Sequence, residues 1–379
     1  TSAATQNTNL FLFGGSGNDT IIDNYRQNGV FAEYFTTSTS QTSGISVNLA
    51  TGVATDGFGG TDSLVGVTAI SGTSFADTLL GSTSNDRFRG GLGNDSLDGG
   101  AGTSDMVDYA NLAASQAVSV NLATGRANDG QGGTDTLISI EQVRGTAGND
   151  TIIGDGADNI FRGNAGNDSL DGGAGTGDVA DYAFATAAVS VKLTTGRAND
   201  GQGGTDTLAN IERVWGSAFA DTLIGGAGND MLRGNAGNDS IDGGAGSADV
   251  ADYRNATTGI TVNMATRVVQ DGQGGNDTLA GIEQIWGSTF NDSMLGGTGS
   301  DFFVGSSGAD TFAGGSGIDS VSYALNPANS TTATQGVSVN LTTGAGRDGY
   351  GGAESLVGIE VIYASSLADT ISGGAANEM

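Results

Sequence analysis

The sequence predicts an all-β protein, a solenoid of short stacked strands, and three observations carry that reading. A nine-residue unit returns in tandem, most regularly over residues 225–249, GGAGNDMLRGNAGNDSIDGGAGSAD. A longer unit of about 72 residues contains it and returns five times, marked by DGxGG turns at Asp56, Asp129, Asp200, Asp271 and Asp348. Finally, no window holds a 3.6-residue apolar period, and glycine interrupts every helical candidate. The 68 glycines fit turns or disorder equally well, but the one proline, Pro327, favours strands, because ladders exclude proline and flexible linkers do not.

The nonapeptide frame is GGxGxDxUx, with U a large apolar residue. In residues 225–233, Gly225, Gly226 and Gly228 open the turn, Asp230 adds a carboxylate, and Leu232 begins the inward face of a strand. Residues 14–22 repeat it with Gly14, Gly15, Gly17 and Asp19, and residues 90–98 with Gly90, Gly91, Gly93 and Asp95. Residues 234–242 supply Gly234, Gly237 and Asp239; residues 296–304 supply Gly296, Gly297, Gly299 and Asp301. Residues 314–322 supply Gly314, Gly315, Gly317 and Asp319. Two copies replace the second glycine, Gly163 to Asp168 with Asn164 and the Asp310 copy with Ser306, so altered turns are expected there. One unit alone buries almost nothing, whereas stacked copies bury a continuous core. Carboxylates and carbonyls facing each other across neighbouring turns then make an all-oxygen cage suited to calcium.

These tandem nonapeptides resemble the hemolysin-type (RTX) calcium-binding repeats of secreted bacterial proteins. The resemblance implies a parallel β-roll, two nonapeptides per coil, with several Ca²⁺ ions held between consecutive turns by the Asp and by turn carbonyls. It extends to Asp150 in residues 145–153, which keep the glycine, and to the shifted turns ending in Asp105, Asp178 and Asp249. The DGxGG turns place Asp62, Asp135, Asp206 and Asp277 in a comparable position, with Glu354 in the last copy; an Asp bonding its own turn fits these equally well. Three bridging units put Phe at the third-glycine position, leaving Asp77, Asp221 and Asp292 open between metal binding and a sealed corner.

In order along the chain, residues 1–13 are a lead-in and residues 14–379 one continuous roll. The DGxGG turns are 73, 71, 71 and 77 residues apart, close to four coils of about 18 residues, so the spacers between nonapeptides read as further coils. Each long unit runs Asp-Tyr, a VSVNL-type strand, a TGRANDGQGG-type turn, a TDTL-type strand, an Ile-Glu step, then nonapeptides. Tyr34, Tyr109, Tyr182, Tyr253 and Tyr323 share one column; Arg144, Trp215, Trp286 and Tyr363 share another, read as a corner filler or a lateral contact. Glu141, Glu212, Glu283 and Glu360 form a third column that either ligates metal or faces water.

Composition narrows the function. The 13 basic against 42 acidic residues give a net charge of −29, which repels nucleic acid and anionic membranes. Without a counter-ion such a chain should stay largely unfolded, so calcium is expected to switch folding on. There is no cysteine for a disulfide and no histidine for a Ser-His-Asp or zinc-His site. The Asp spacing is explained by the turns, leaving little for an enzyme. No apolar run of about 18 residues is present, and residues 1–10 lack signal-peptide character. The resemblance implies one-step (type I) export through a C-terminal signal, which is not visible at residues 377–379. The expectation is a secreted, self-associating structural protein of a bacterial surface layer, sheath or filament, in contact with cell-surface polysaccharide. The alternatives are the stalk of a large adhesin or the export module of a toxin or enzyme.

Overall fold

Nine residues divide into a six-residue turn and a three-residue strand, and that division sets the architecture. The protein is represented by a computed structural model, which describes residues 10–23, 30–34, 41–113, 116–324 and 333–374. Pro327, residues 1–9 and residues 377–379 lie outside these. Strands such as Ser96–Asp98, Thr151–Ile153 and Thr222–Ile224 bury their central residue and turn the flanking two outward. Leu97, Ile152 and Leu223 are 0% exposed. Each contributes roughly 1.5–3 kcal/mol of burial, so stability comes from many copies of one small contact. Among the described residues the helical pieces are two single 3-10 turns, Leu122–Thr124 and Leu193–Thr195.

The chain forms two compact units, residues 1–180 with 204–211, and residues 181–203 with 212–379. Each contains two sheets facing one thin core. In the first unit, one sheet is wholly parallel and begins with Leu10–Phe13, inside the expected lead-in, paired to Val30–Glu33. It continues through Ala69–Ser71, Arg87–Arg89, Met106–Asp108, Gln142–Arg144 and Ile160–Arg162. Register puts Ile70, Phe88, Val107, Val143 and Phe161 in one inward row. The opposite sheet stacks Leu79, Leu97 and Leu137 from Thr78–Leu80, Ser96–Asp98 and Thr134–Ile138.

That opposite sheet departs from the expected run of regular coils. The VSVNL-type strand Ser119–Asn121 turns back through antiparallel Arg126–Asn128, which pairs antiparallel with Thr134–Ile138. The reversal is local: Asn121 caps the amide of Thr124, and Gly125, at φ 63°, donates its N–H to the Leu122 carbonyl. A long unit therefore holds three coils rather than four, the third enlarged by a meander. Residues 72–144 give three strands to the parallel sheet and five to the other.

The second unit repeats this plan. Its parallel sheet runs Arg213–Trp215, Met231–Arg233, Val250–Asp252, Gln284–Trp286, Phe302–Val304, Ser320–Ser322 and Val361–Tyr363. Meanders recur at Thr261–Asn263 with Val268–Gln270 and Asn276–Ala280, and at Ser338–Asn340 with Ala345–Arg347 and Ala353–Val357.

The outer face of each parallel sheet carries a buried acid clasped by arginines. In the first unit Arg87 and Arg89 reach Asp108 at 2.6 and 2.8 Å. In the second, Asp252 pairs with Arg233 and Arg254. Arg233 lies 5.0 Å over the Trp215 ring and Arg254 4.5 Å over Trp286, so both tryptophans serve as packing platforms.

Candidate metal centre

The turns preceding the strands stack in two columns, and their acids are joined by a staircase of main-chain bonds. In one column of the first unit the Asp77 amide donates to Asp95 Oδ1 at 2.9 Å, and the Asp95 amide to Asp135 Oδ1 at 3.1 Å. In the other the Asp86 amide donates to Asp105 Oδ1, and the Asp105 amide to Glu141 Oε2 at 2.9 Å. The second unit repeats both, through Asp221, Asp239 and Asp277, and through Asp230, Asp249 and Glu283. Asp301, Asp319 and Glu360 continue the latter pattern. The step sets Asp19 on Asp62, Asp168 on Asp206, and the Asn159 amide on Asp178.

Several steps use one carboxylate oxygen and leave the other. Oδ2 of Asp19, Asp95, Asp105, Asp239, Asp249, Asp310 and Asp319 is buried without a hydrogen-bond partner. Burial pushes the Asp95 and Asp239 carboxyls up to about 8 and Asp310 to about 9, with neighbouring acids adding to the shift. Such oxygens need either protons or a cation.

Glycine explains where the remaining ligands come from. Gly93, at φ 125°, sits so close to the preceding turn that a Cβ would lie 2.7 Å from the Phe75 carbonyl oxygen. Carbonyls of Phe219, Gly228 and Gly299 likewise meet Gly237, Gly246 and Gly317 of the next turns. Among the described residues no three acidic side chains converge as a metal cluster. The stacked turns bring together main-chain carbonyls and single carboxylate oxygens, the hard-oxygen chemistry that suits calcium. The residues fit the ion.

Not every predicted acid is left with a spare oxygen. Both oxygens of Asp150 are bonded, by the Val118 and Thr146 amides and the Thr146 hydroxyl. Asp77, Asp221 and Asp292 repeat this with Thr73, Ser217 and Ser288, so these four turns are capped by their own acids. Asp230 and Asp301 direct Oδ2 to the amides of Gly226 and Gly297 of their own turns. The hydroxyls of Tyr109 and Tyr253 donate to Oδ2 of Asp135 and Asp277, at 3.1 and 3.0 Å.

Two expectations change. Glu141, Glu283 and Glu360 are part of the staircase rather than facing water, their longer side chains standing in for Asp. Asn164 and Ser306 preserve the turn they were expected to alter, both at φ 71°, and the Asn164 amide also bonds the Gly145 carbonyl at 2.6 Å. Sequence reasoning used Asp129, Asp271 and Asp348 as repeat markers without treating them as ligands. Each is at most 1% exposed, and the DG dipeptide recurring at one place in the long unit was the signal.

Fold and site together define a calcium-binding β-roll. The family model for the RTX calcium-binding nonapeptide repeat matches residues 11–24, 71–105, 144–179, 215–248 and 286–321. These segments carry RTX calcium-binding nonapeptide repeats, and the repeats bind multiple Ca²⁺ ions. No curated protein matches the chain.

Proposed function

We propose that this protein acts outside the cell as a calcium-folded structural element whose copies associate into a surface layer, sheath or filament. The observation that carries the reading is the outer face of the meander-bearing sheets. Ile22 and Val65, register partners in the first unit, are each 49% exposed, and Val357 in the second is 65% exposed. Outward apolar side chains on a charged, repetitive scaffold favour contact with another protein surface over lone existence in water. Calcium serves that role twice, by neutralising buried acids and by letting one acidic chain approach another. RTX repeats are structural modules rather than catalytic ones, and type I export suits a chain that folds when it meets extracellular calcium.

Negative-stain microscopy across a calcium titration tests the reading. Ordered arrays or fibres in millimolar calcium, dissolved by chelator, are expected. Folded monomers that persist at high protein concentration would replace assembly with a stalk role.

A further inference from the structure

The DGxGG turns hold a carboxylate for which the nonapeptide pattern has no place. Asp129 is 0% exposed. Its Oδ1 accepts the amides of Gln131 and Gly133 at 2.7 and 2.9 Å, which fixes the carboxylate in its own turn. Its Oδ2 has no partner. Asp271 and Asp348 repeat the arrangement, with Oδ1 on the amides of Gln273 and Gly275, and of Tyr350 and Gly352. Their Oδ2 atoms are buried and unpartnered as well.

What this oxygen faces is the neighbouring nonapeptide turn. A Cβ placed on Gly133 would lie 1.8 Å from the Gly93 carbonyl oxygen and 2.5 Å from Asp129 Oδ2. At Gly275 the same two neighbours are the Gly237 carbonyl and Asp271 Oδ2, at 1.5 and 2.8 Å. At Gly352 they are the Gly308 carbonyl and Asp348 Oδ2, at 1.5 and 2.9 Å. Each contacted turn ends in an acid whose own Oδ2 is unpartnered, Asp95, Asp239 or Asp310. The second acid of the DGxGGxD segment cannot serve in the same way where a tyrosine hydroxyl holds it, as at Asp135 and Asp277. The earliest copy supplies a contrast: Asp56 Oδ2 accepts the Gly17 amide at 3.1 Å, so a main-chain donor fills the position.

We propose that Asp129, Asp271 and Asp348 are ligands of a second class of calcium-type cation site, each combining the DG-turn carboxylate with the carbonyl and terminal Asp of the adjoining nonapeptide turn. The inference rests on the reading that the nonapeptide turns bind calcium. Hard-cation sites collect oxygens of this kind, and an anionic oxygen left bare inside a protein otherwise carries a large desolvation cost. The acid that caps its own turn and the acid that closes the metal stack are then one residue.

The test is the number of bound ions in the full chain carrying D129N, D271N and D348N together, counted by equilibrium dialysis with calcium and by calorimetry. Asparagine keeps an oxygen for the turn amides and replaces the bare Oδ2 with a donor. A residue that only caps its turn would therefore tolerate the change. One ion fewer is expected for each aspartate replaced, while D56N leaves the count unaltered. An unchanged count and midpoint in the triple variant would overturn the proposal with the nonapeptide sites intact. Absence of calcium binding by the unaltered chain would overturn the broader reading and this one with it. Should the triple variant fail to fold, D129N and D271N singly must each lose one ion, and either one retaining the full number is decisive against the site.

Discussion

The two oxygens of a turn aspartate do different work, and substitution should separate them. Asp239 uses Oδ1 to accept the Asp221 amide and keeps Oδ2 bare, whereas Asp150 has both oxygens bonded by Thr146 and Val118. D239N should raise the calcium midpoint of folding severalfold. D150N should lower stability by about 1–3 kcal/mol, the cost of a disturbed buried hydrogen-bond set, without changing the number of ions. Calcium titration by circular dichroism beside calorimetric counting distinguishes the two; equal ion loss in both variants would refute the distinction. A companion prediction concerns Gly93, whose φ of 125° and contact with Phe75 leave no room for a methyl group. G93A should cost about 2 kcal/mol or more in urea unfolding at saturating calcium. The nonapeptide acids were legible in the sequence because each sits at a fixed offset from its own glycines. Which oxygen stays bare was not, because the partner amide lies 18 residues away for Asp168 and the partner hydroxyl 26 away for Asp135.

At the scale of elements, alternation of apolar and polar residues was enough to find the VSVNL-type strands, and the central residues of Ser119–Asn121 and Thr261–Asn263 are buried as that pattern requires, whereas Arg126–Asn128 lies inside a stretch read as a turn. Their direction was not legible. A count of residues per long unit suggests another coil, yet the glycine between two alternating strands closes a reversal, seen at Gly125, which repeat counting overlooks. The arginine clasps on the parallel sheets were missed for a related reason: Asp108 and Arg89 meet only because coils 19 residues apart are stacked. Asp108 is buried, and the arginine guanidiniums hold its carboxyl below the ordinary range despite that burial. Its contribution to stability is therefore present at neutral pH and lost as pH falls through the lowered value. D108A should cost about 3–5 kcal/mol, since it strands the charges of Arg87 and Arg89. Urea unfolding in saturating calcium measures it, and a loss under about 1 kcal/mol would show that water or other acids take over the arginines.

For the whole molecule the dominant quantity is negative charge, −29 at neutral pH, and the buried acids give it a definite pH dependence. In the metal-free fold Asp95 and Asp239 are pushed up to about 8, and Asp310 to about 9, first by burial and then by neighbouring carboxylates. A raised carboxyl binds more protons folded than unfolded. Metal-free stability is thus fullest below the unfolded carboxylate range and falls as pH rises through about 8. The Asp108 and Asp252 clasps act in the opposite sense at the acid end, being lost as pH drops through their lowered values. The two trends together put the metal-free optimum at roughly pH 5. Chelated protein should be largely unfolded at pH 8 and should gain β structure on titration toward pH 5. Saturating calcium should flatten this response, because the cation occupies the oxygens that protons would otherwise neutralise. Far-ultraviolet circular dichroism with and without chelator measures both arms. A chelated chain already folded at pH 8, and unchanged down to pH 5, would mean that charge burial is not what couples this fold to its ion.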